Sequence, residues 1–521
     1  MSADGVTPRP NRVSAKPVSR LASELGWRGS APDTVQASGV TGSSRTVRQG
    51  DLFFAVPGAR HHGADYVAQA AAAGAVAIVT DTAGESPSLL TGLPVMVSPD
   101  PRKDLGLAAA LIFDTDQAAM TTFGVTGTNG KTTVAYLLDA LLRQMGVTTG
   151  LSSTSERIIA GRVYPSGLTT PEADEIHALL GVMAETGVSH AVLEVSAHAL
   201  SRQRVSGVHF DVVAFTNFSQ DHLDDYATME DYFLAKGELF DSARATRGVI
   251  CVDDVWGRRL AEEAHIPVVT VASATSGETL AADWRVEVTA TTMSSTSFVL
   301  EAPDGETLAA TVPLVGDFSA TNAAIAIVML VENGFSLNEI RQGIGPTATI
   351  DVFVPGRAEM VSGATGPTFF VDYGHTPEAF ARTLSSLRAL TPGRLTMVFG
   401  ADGDRDTTKR PDMGRIAATG ADVVVITDFH PRTEDPAAIR AALMRGAADA
   451  GSSAQLHEIA DQREAVRFAL VGAQSGDTIL YAGPGHEDYQ EINGTKIPYD
   501  AREDARQALR EAGWPPREAR P

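Results

Sequence analysis

Short apolar runs alternate with helical spacing over the first part of the chain, residues 20–119. Asp51 to Val56 has the pattern of a strand that ends at Pro57-Gly58, Tyr66 to Ala73 has helical spacing, and Ala75 to Val79 has the pattern of a buried strand. Strands that alternate with helices predict a parallel sheet with helical crossovers. This part is therefore predicted to be an α/β domain.

The same alternation continues from about residue 120 to residue 354. A helix is predicted from Thr132 and another from Ala320 to Glu332, whereas residues 283–315 alternate with a period of two, which predicts an antiparallel insertion. Buried strands are predicted at Phe123–Thr126, Ala191–Val195, Val212–Phe215 and Gly248–Val252.

A third α/β domain is predicted for residues 355–521. Its buried strands are predicted at Thr368–Val371, Leu395–Phe399, Val423–Thr427 and Thr478–Tyr481. Residues 1–19 are predicted to be a flexible leader, because they are polar and contain proline.

Composition supports this division and excludes some classes of protein. A chain of 521 residues is long enough for about three domains. The net charge of -22 argues against nucleic-acid binding, which usually needs a basic face. The longest apolar run, Ala323 to Val331, is too short to cross a bilayer, and residues 1–20 have no secretory pattern. With the single cysteine Cys251, these features predict a cytoplasmic protein without membrane insertion.

A glycine-rich turn between a strand and a helix is the first candidate site. Its backbone N–H groups and the helix N-terminus would bind phosphate oxygens, Lys131 would contact the terminal phosphates, and a hydroxyl would bind Mg²⁺. Val125 occupies the position where the strict phosphate-loop pattern has its first glycine. The residues of the turn predicted to bind ATP are Gly127, Thr128, Asn129, Gly130, Lys131, Thr132 and Thr133.

Two polar residues follow neighbouring predicted strands. Glu194 ends one strand and His222 comes after the next, so both are expected at the sheet edge where ligands bind in open α/β sheets. A carboxylate there suits Mg²⁺. Lys236 lies in an apolar helix, and physical chemistry alone favours a lysine that extends to solvent.

The segment from Gly124 to Thr133 resembles the ATP loop of the Mur ligases, which build the peptide stem of bacterial cell-wall precursors. Folylpolyglutamate synthetases have a similar loop. The resemblance implies three domains, with a central P-loop-type ATPase domain and a Rossmann-like C-terminal domain. It also implies ATP and Mg²⁺ as cofactors and a CO₂-derived carbamate on Lys236. Thr132, Glu194, His222 and carbamylated Lys236 would bind the metal, and Lys131, Glu194, His222 and Lys236 would be catalytic.

Further motifs resemble those of the member that adds the third amino acid. The resemblance implies that eight residues bind the UDP-MurNAc-dipeptide, namely Ser44, His62, Gly63, Ala64, Thr169, Thr170, Ser196 and Arg204. It assigns to ATP, besides the turn, Asn322, Arg357, Asp372 and His375. It assigns to the amino-acid acceptor Arg405, Phe429, His430, Arg432, Gly483 and Glu487.

The resemblance implies an ATP-dependent acid–amino-acid ligase. It would join lysine, ornithine or meso-diaminopimelate to UDP-MurNAc-L-Ala-D-Glu through an acyl phosphate during peptidoglycan synthesis. The expected partners are these small molecules, and the enzyme is expected to be a monomer. Two alternatives are a folylpolyglutamate-type ligase and a non-catalytic nucleotide-binding regulatory subunit.

Two departures from the family pattern affect the acceptor. Diaminopimelate-adding members carry D-N-P-R where this chain has Phe429, His430, Pro431 and Arg432, which leaves the acceptor open with a lean away from diaminopimelate. Pro484 replaces a usual lysine.

Overall fold

The computed structural model describes residues 7–58, 61–273 and 281–518. The first α/β part contains β1 (Lys16–Pro17), β2 (Gln36–Ala37), β3 (Gly39–Thr41), β4 (Asp51–Ala55), β5 (Ala77–Thr80), β6 (Val95–Val97), α1 (Val18–Leu25), α2 (Val67–Ala72), α3 (Glu85–Leu89) and α4 (Pro101–Ile112). Strands β3 to β6 form a four-stranded parallel sheet, and β1 pairs with β2.

The central part is built on an eleven-stranded sheet. Its strands are β7 (Thr121–Thr126), β8 (Thr149–Ser152), β9 (Glu156–Ile159), β10 (Arg162–Pro165), β11 (His190–Glu194), β12 (Phe210–Phe215), β13 (Ala245–Cys251), β14 (Val268–Ser273), β15 (Trp284–Thr292), β16 (Ser295–Glu301) and β17 (Thr307–Val312). Its helices are α5 (Lys131–Gln144), α6 (Ala173–Glu185), α7 (Ala197–Ser201), α8 (Met229–Gly237), α9 (Val255–Glu263), α10 (Asp317–Glu332) and α11 (Leu337–Ile344).

The strand order of this sheet is β10-β9-β8-β11-β7-β12-β13-β14-β15-β16-β17. The strands from β8 to β15 in that order are parallel, and the pairs at both ends are antiparallel. The predicted antiparallel segment is therefore present, and it extends the central sheet. Apolar residues of α5 and α10 cover one face, so this helix pair holds the end of β7 in place.

The third part contains β18 (Glu359–Met360), β19 (Thr368–Asp372), β20 (Leu395–Phe399), β21 (Val423–Ile426), β22 (Gln455–Glu458), β23 (Thr478–Ala482), β24 (Tyr489–Ile492), β25 (Thr495–Pro498), α12 (Pro377–Leu390), α13 (Arg410–Gly420), α14 (Pro436–Asp449), α15 (Gln462–Leu470) and α16 (Ala501–Glu511). Its six-stranded sheet, in the order β18-β19-β23-β20-β21-β22, is parallel except for the edge strand β18. The predicted α/β fold class is confirmed.

The segment assigned from the sequence to a flexible leader is packed against the protein from residue 7 onwards. Arg9 forms an ion pair with Asp51 at 2.8 Å, and the hydroxyl of Thr7 accepts a hydrogen bond from buried Arg157. These contacts join the segment to both the first and the central sheets, so the prediction of flexibility does not fit residues 7–19. Residues 1–6 lie outside the described part. Within the described ranges, no helix is both long and apolar enough to cross a membrane.

Candidate functional site

Three neighbouring strand ends position the candidate site. In the central sheet β7 lies between β11 and β12, with Glu194 beside Val125 and Phe215 beside Thr126. The residues that follow these strands therefore meet at one edge of the sheet, where open α/β sheets bind ligands. This placement is the one expected for Glu194 and for the glycine-rich turn.

The turn after β7 forms a preorganised cradle at the N-terminus of α5. Gly127 and Gly130 have φ of 140° and 87°, a backbone region that disfavours side chains. A Cβ atom on Gly127 would also overlap the Thr216 hydroxyl. Lys131 Nζ donates to the carbonyl oxygens of Gly127 and Thr128 at 3.0 and 2.8 Å, which folds its ammonium back over the turn. The geometry is that of an anion site with a partly buried cation.

Glu194 and Thr132 present hard oxygen atoms beside this turn. Thr132 Oγ1 donates to Glu194 Oε2 at 3.2 Å, and the backbone N–H of Thr154 donates to Glu194 Oε1 at 2.9 Å. Such oxygens suit Mg²⁺. In residues 7–58, 61–273 and 281–518, no three His, Cys, Asp or Glu side chains cluster as metal ligands. The oxygens of Thr132 and Glu194 suit an ion that takes most of its ligands from substrate phosphates and water, as Mg²⁺ usually does.

Lys236 is buried, contrary to the expectation of a solvent-extended side chain. It is 1% exposed, and its Nζ donates to the carbonyl oxygen of Gly127 at 2.7 Å. Burial, and then the charge of Lys131, lower the pKa of the Lys236 amine well below its ordinary value. No carboxylate pairs with it in the described contacts. The side chain thus places a buried amine beside the phosphate loop.

His222 lies next to the same turn in a strained backbone conformation. Its φ is 56°, in the left-handed region that non-glycine residues adopt uncommonly. Burial lowers the pKa of the His222 imidazole to about 3, and the charges of Lys236 and Lys131 act in the same direction. The structure therefore brings His222, Lys131 and Lys236 together.

A buried ion pair joins the central and C-terminal parts at this point. Lys409 Nζ contacts Asp221 Oδ1 at 3.0 Å, and His375 Nε2 lies 3.7 Å from the same carboxylate. Burial alone would raise the pKa of Asp221, but His222, Lys409 and His375 outweigh it and hold that pKa well below the usual value. Sequence analysis assigned no role to Asp221 or Lys409. Their signal in the sequence is proximity to predicted site residues, since Asp221 directly precedes His222 and Lys409 follows Arg405 closely.

Replacing Lys409 with methionine is expected to lower the free energy of unfolding by about 3 kcal/mol, because removal of one partner leaves the other charge buried. Adding Asp221→Asn should recover most of that loss. Thermal unfolding monitored by circular dichroism measures both changes. Lys103→Met, at an exposed position, is the matched control. Equal destabilisation by Lys409→Met and by the double variant would contradict the coupling.

A first cleft opens on one side of the phosphate loop. Predicted ATP residues Asn129, Gly130, Thr133, Asn322, Arg357 and Asp372 line it, together with Arg382 and Thr383 of α12. Arg357 Nη2 donates to Thr132 Oγ1 at 2.9 Å, and its Nε is buried without a hydrogen-bond partner among the described residues. A buried unpaired donor beside the loop is suited to a phosphate oxygen. His375, which was predicted for ATP, does not line this cleft.

A second cleft opens on the other side of the loop, between the central and C-terminal parts. It is lined by Lys131, His222 and His375 and by most of the residues predicted for the two substrates to be joined. From the predicted dipeptide set these are Thr169, Ser196 and Arg204, and from the acceptor set Arg405, Phe429, His430, Arg432, Gly483 and Glu487. The cleft therefore unites residues that lie up to about 350 positions apart in the sequence, since it contains both Lys131 and Glu487.

On the dipeptide side, Arg204 lines the second cleft and Thr170 is buried next to it. Thr170 Oγ1 donates to the carbonyl oxygen of Glu194 at 2.8 Å and accepts from the N–H of Ser196 at 3.0 Å. Arg204 pairs with Glu172 at 2.9 Å, but its Nε is buried without a partner in the described residues. That donor is available to a carboxylate.

Four predicted substrate residues lie in the first part and do not line the second cleft. Ser44 donates to the side chain of Gln69 at 3.1 Å, and His62 accepts from the N–H of Ala64 at 3.0 Å. A Cβ on Gly63 would meet the backbone of Ala55 at 2.7 Å, so this tight turn needs glycine. The first part is joined to α6 of the central part by a 3.2 Å hydrogen bond from the N–H of Gly42 to Asp174 and by Ala173 and Ala178, which belong to its apolar core.

Three family models match the chain. The model described as Mur ligase family, catalytic domain, matches residues 36–111. The Mur ligase middle domain matches residues 125–330, and the Mur ligase, glutamate ligase domain, matches residues 356–485. The three matches follow the three α/β parts described above.

Relatives of known name agree with these matches. UDP-N-acetylmuramyl-tripeptide synthetase of Leifsonia xyli subsp. xyli is 56% identical over 97% of this chain and 98% of the relative. UDP-N-acetylmuramoyl-L-alanyl-D-glutamate–2,6-diaminopimelate ligase of Streptomyces coelicolor is 43% identical over 96% of this chain and 98% of the relative. A solved structure with the latter enzyme name has a TM-score of 0.62 and 30% identity, covering 92% of this chain and 96% of its own. These names do not favour either alternative function.

Proposed function

Because the chain belongs to the Mur ligase family, we propose that it is an ATP-dependent ligase of peptidoglycan synthesis that adds a diamino acid to UDP-MurNAc-L-Ala-D-Glu. The observation that carries this proposal is the second cleft, whose lining combines the phosphate-loop Lys131 with residues proposed for the dipeptide and residues proposed for the acceptor. A ligase needs this arrangement because the activated carboxyl group and the incoming amine must meet beside the transferred phosphate.

The first chemical step is phosphoryl transfer. An oxygen of the D-glutamyl carboxylate attacks the γ-phosphorus of ATP, the bond to the β-phosphate oxygen breaks, and ADP leaves. We assign the nucleoside to the first cleft and the phosphates to the glycine-rich turn, where Lys131 and Arg357 neutralise developing charge. The unpaired Nε of Arg204 positions the dipeptide carboxylate.

The second step is amide formation. The amine of the acceptor attacks the acyl-phosphate carbonyl carbon, the carbon–oxygen bond to phosphate breaks, and the nitrogen loses a proton. We assign the acceptor's α-carboxylate to Arg405, whose side chain is 43% exposed and has Asp224 at 3.4 Å as its ion-pair partner. The proposed roles of Ser44, His62, Gly63 and Ala64 are to bind the UDP-sugar end of the other substrate.

Mg²⁺, when bound, supplies positive charge to the phosphoryl oxygens during the transfer. We assign Thr132, Glu194, His222 and carbamylated Lys236 to hold it. The support for the carbamate is the burial of Lys236 beside the loop and the low pKa of its amine. A neutral amine adds to CO₂ with loss of one proton, and the product is a carboxylate-like anion, which is an oxygen ligand for Mg²⁺.

The proposed location is the cytoplasm, because ATP and UDP-linked sugars are made there, and the proposed state is a monomer. Incubation with UDP-MurNAc-L-Ala-D-Glu, ATP, Mg²⁺ and a diamino acid should release phosphate only when all four are present. The peptide product should appear in equal amount by mass spectrometry. Absence of product with every diamino acid would overturn the proposal.

A further inference from the structure

We propose that the acceptor amino acid carries a terminal ammonium and no second carboxylate, and that Glu487 and Asp402 select it. This inference rests on the proposed function and concerns the end of the second cleft formed by Phe429, His430, Arg432 and Glu487. We call this region the distal wall. Among the candidate acceptors, the inference favours lysine and ornithine, which have one carboxylate, over diaminopimelate, which has two.

The hydrogen bonds of His430 determine which groups of the distal wall carry charge. His430 is 3% exposed, and its Nδ1 accepts a hydrogen bond from the backbone N–H of Glu491 at 2.8 Å. The ring proton therefore lies on Nε2, which donates to Glu487 Oε2 at 2.8 Å. In this arrangement the imidazole is neutral, so it orients Glu487 without cancelling its negative charge.

Arg432 is the only cation of the distal wall, and protein acceptors already surround it. Its Nη1 donates to the carbonyl oxygen of Gly403 at 3.1 Å, and its Nη2 donates to Asp402 at 3.2 Å. Its Nε lies 3.5 Å from Glu491. A φ of 50° holds the residue in the left-handed region. Two carboxylates of the protein, Asp402 and Glu491, thus neutralise the Arg432 guanidinium in the absence of substrate. A substrate carboxylate would have to displace one of them to bind this guanidinium.

The balance of charge at the distal wall favours a cation. Arg432 pairs with Asp402 and Glu491, and Glu491 also lies opposite Lys496 in the β24–β25 pair. Glu487 receives a hydrogen bond from His430 and has no lysine or arginine partner in the described contacts, so its charge is in excess. A terminal ammonium on the substrate compensates this excess of negative charge, whereas a second carboxylate adds to it. Attraction between opposite charges and repulsion between like charges commonly produce such selectivity.

Aromatic rings form the remaining surface. The rings of Phe429 and His430 lie 4.1 Å apart between centroids, and the Tyr489 ring lies 5.2 Å from that of His430 at a tilt of 31°. Phe429 is buried and offers no hydrogen-bond donor to a carboxylate. A carboxylate at this place would lose water without gaining a partner.

The test compares acceptors with the wild-type enzyme. L-2,4-diaminobutyrate, L-ornithine, L-lysine and meso-diaminopimelate are assayed for phosphate release with ATP and UDP-MurNAc-L-Ala-D-Glu. The best acceptor with a single carboxylate should exceed diaminopimelate by about 100-fold or more in kcat/KM. Diaminopimelate as the best acceptor would overturn the inference and leave the proposed ligase function intact. No turnover with any acceptor would overturn the function itself.

Two variants test the assigned residues. Glu487→Gln should raise the KM for the preferred diamino acid about 10-fold or more and leave the KM for ATP unchanged. Asp402→Asn should remove one ion-pair partner of Arg432. The preference for the single-carboxylate acceptor over diaminopimelate should then fall by about 10-fold. Glu464→Gln, at an exposed position on α15, is the matched control. Equal losses with all acceptors in both variants would show a purely structural role and would contradict the assignment.

Discussion

Replacing Lys131 with alanine is expected to lower kcat for peptide formation about 1000-fold, which corresponds to roughly 4 kcal/mol of transition-state stabilisation. The ammonium of Lys131 is folded over the phosphate loop by two backbone carbonyls and lines the cleft where the substrates meet. Its removal takes away a fixed positive charge at the place where negative charge develops on the transferred phosphate.

Phosphate release under saturating substrates measures this loss, and isothermal titration with ATP and Mg²⁺ measures the accompanying loss of affinity. Lys103→Ala is the matched control because Lys103 is exposed on α4, far from the loop in sequence and absent from both clefts. Retention of more than about a tenth of wild-type kcat by a folded Lys131→Ala enzyme would contradict the assigned role.

Replacing Lys236 with alanine is expected to lower kcat by a similar factor, on the order of 1000-fold, and added formate or acetate should restore part of the activity. The reason is the proposed carbamate: alanine leaves a cavity beside Gly127, and a small carboxylate fits there and replaces the lost anionic oxygens. A lysine that acts only as a cation or as a hydrogen-bond donor would not be replaced by an anion.

The two lysine variants are controls for each other. Formate should not rescue Lys131→Ala, because that variant lacks a positive charge. The wild-type enzyme incubated with ¹³C-bicarbonate should show a carbamate carbon resonance that is absent in Lys236→Ala. Failure of rescue together with absence of this resonance would show that Lys236 acts as an amine and would remove it from the metal-ligand set.

Most secondary structure could be predicted because its signals are local. The strands β11 and β12 each contain a short apolar run, β7 directly precedes the glycine-rich turn, and the leucines of α5 repeat with helical spacing. The antiparallel strands β15 to β17 were predicted from the alternation of exposed and buried positions. The sequence did not predict that these strands extend the parallel sheet. That extension depends on the pairing of β14 with β15, which tertiary packing decides.

Two expectations show where residue patterns mislead. Physical chemistry alone favours a surface position for Lys236, whereas the resemblance implies a site residue, and in the structure its ammonium is buried against the phosphate loop. Residues 7–19 were expected to be a flexible leader because they are polar, yet Arg9 meets Asp51 on the first sheet. In both cases the partner is distant in the chain, and polarity alone contains no information about it.

The sequence by itself determined the phosphate loop, because its glycines, its lysine and the helix that follows are consecutive and their geometry depends on neighbours along the chain. It also indicated that Glu194 ends one strand and that His222 comes after the next. Only the tertiary structure decided the distal wall, where His430 meets Glu487 across 57 positions, and the pair of Asp221 with Lys409 across 188. Such contacts depend on how separate α/β parts pack together, and that packing arises from surfaces assembled from many segments, which no local pattern encodes.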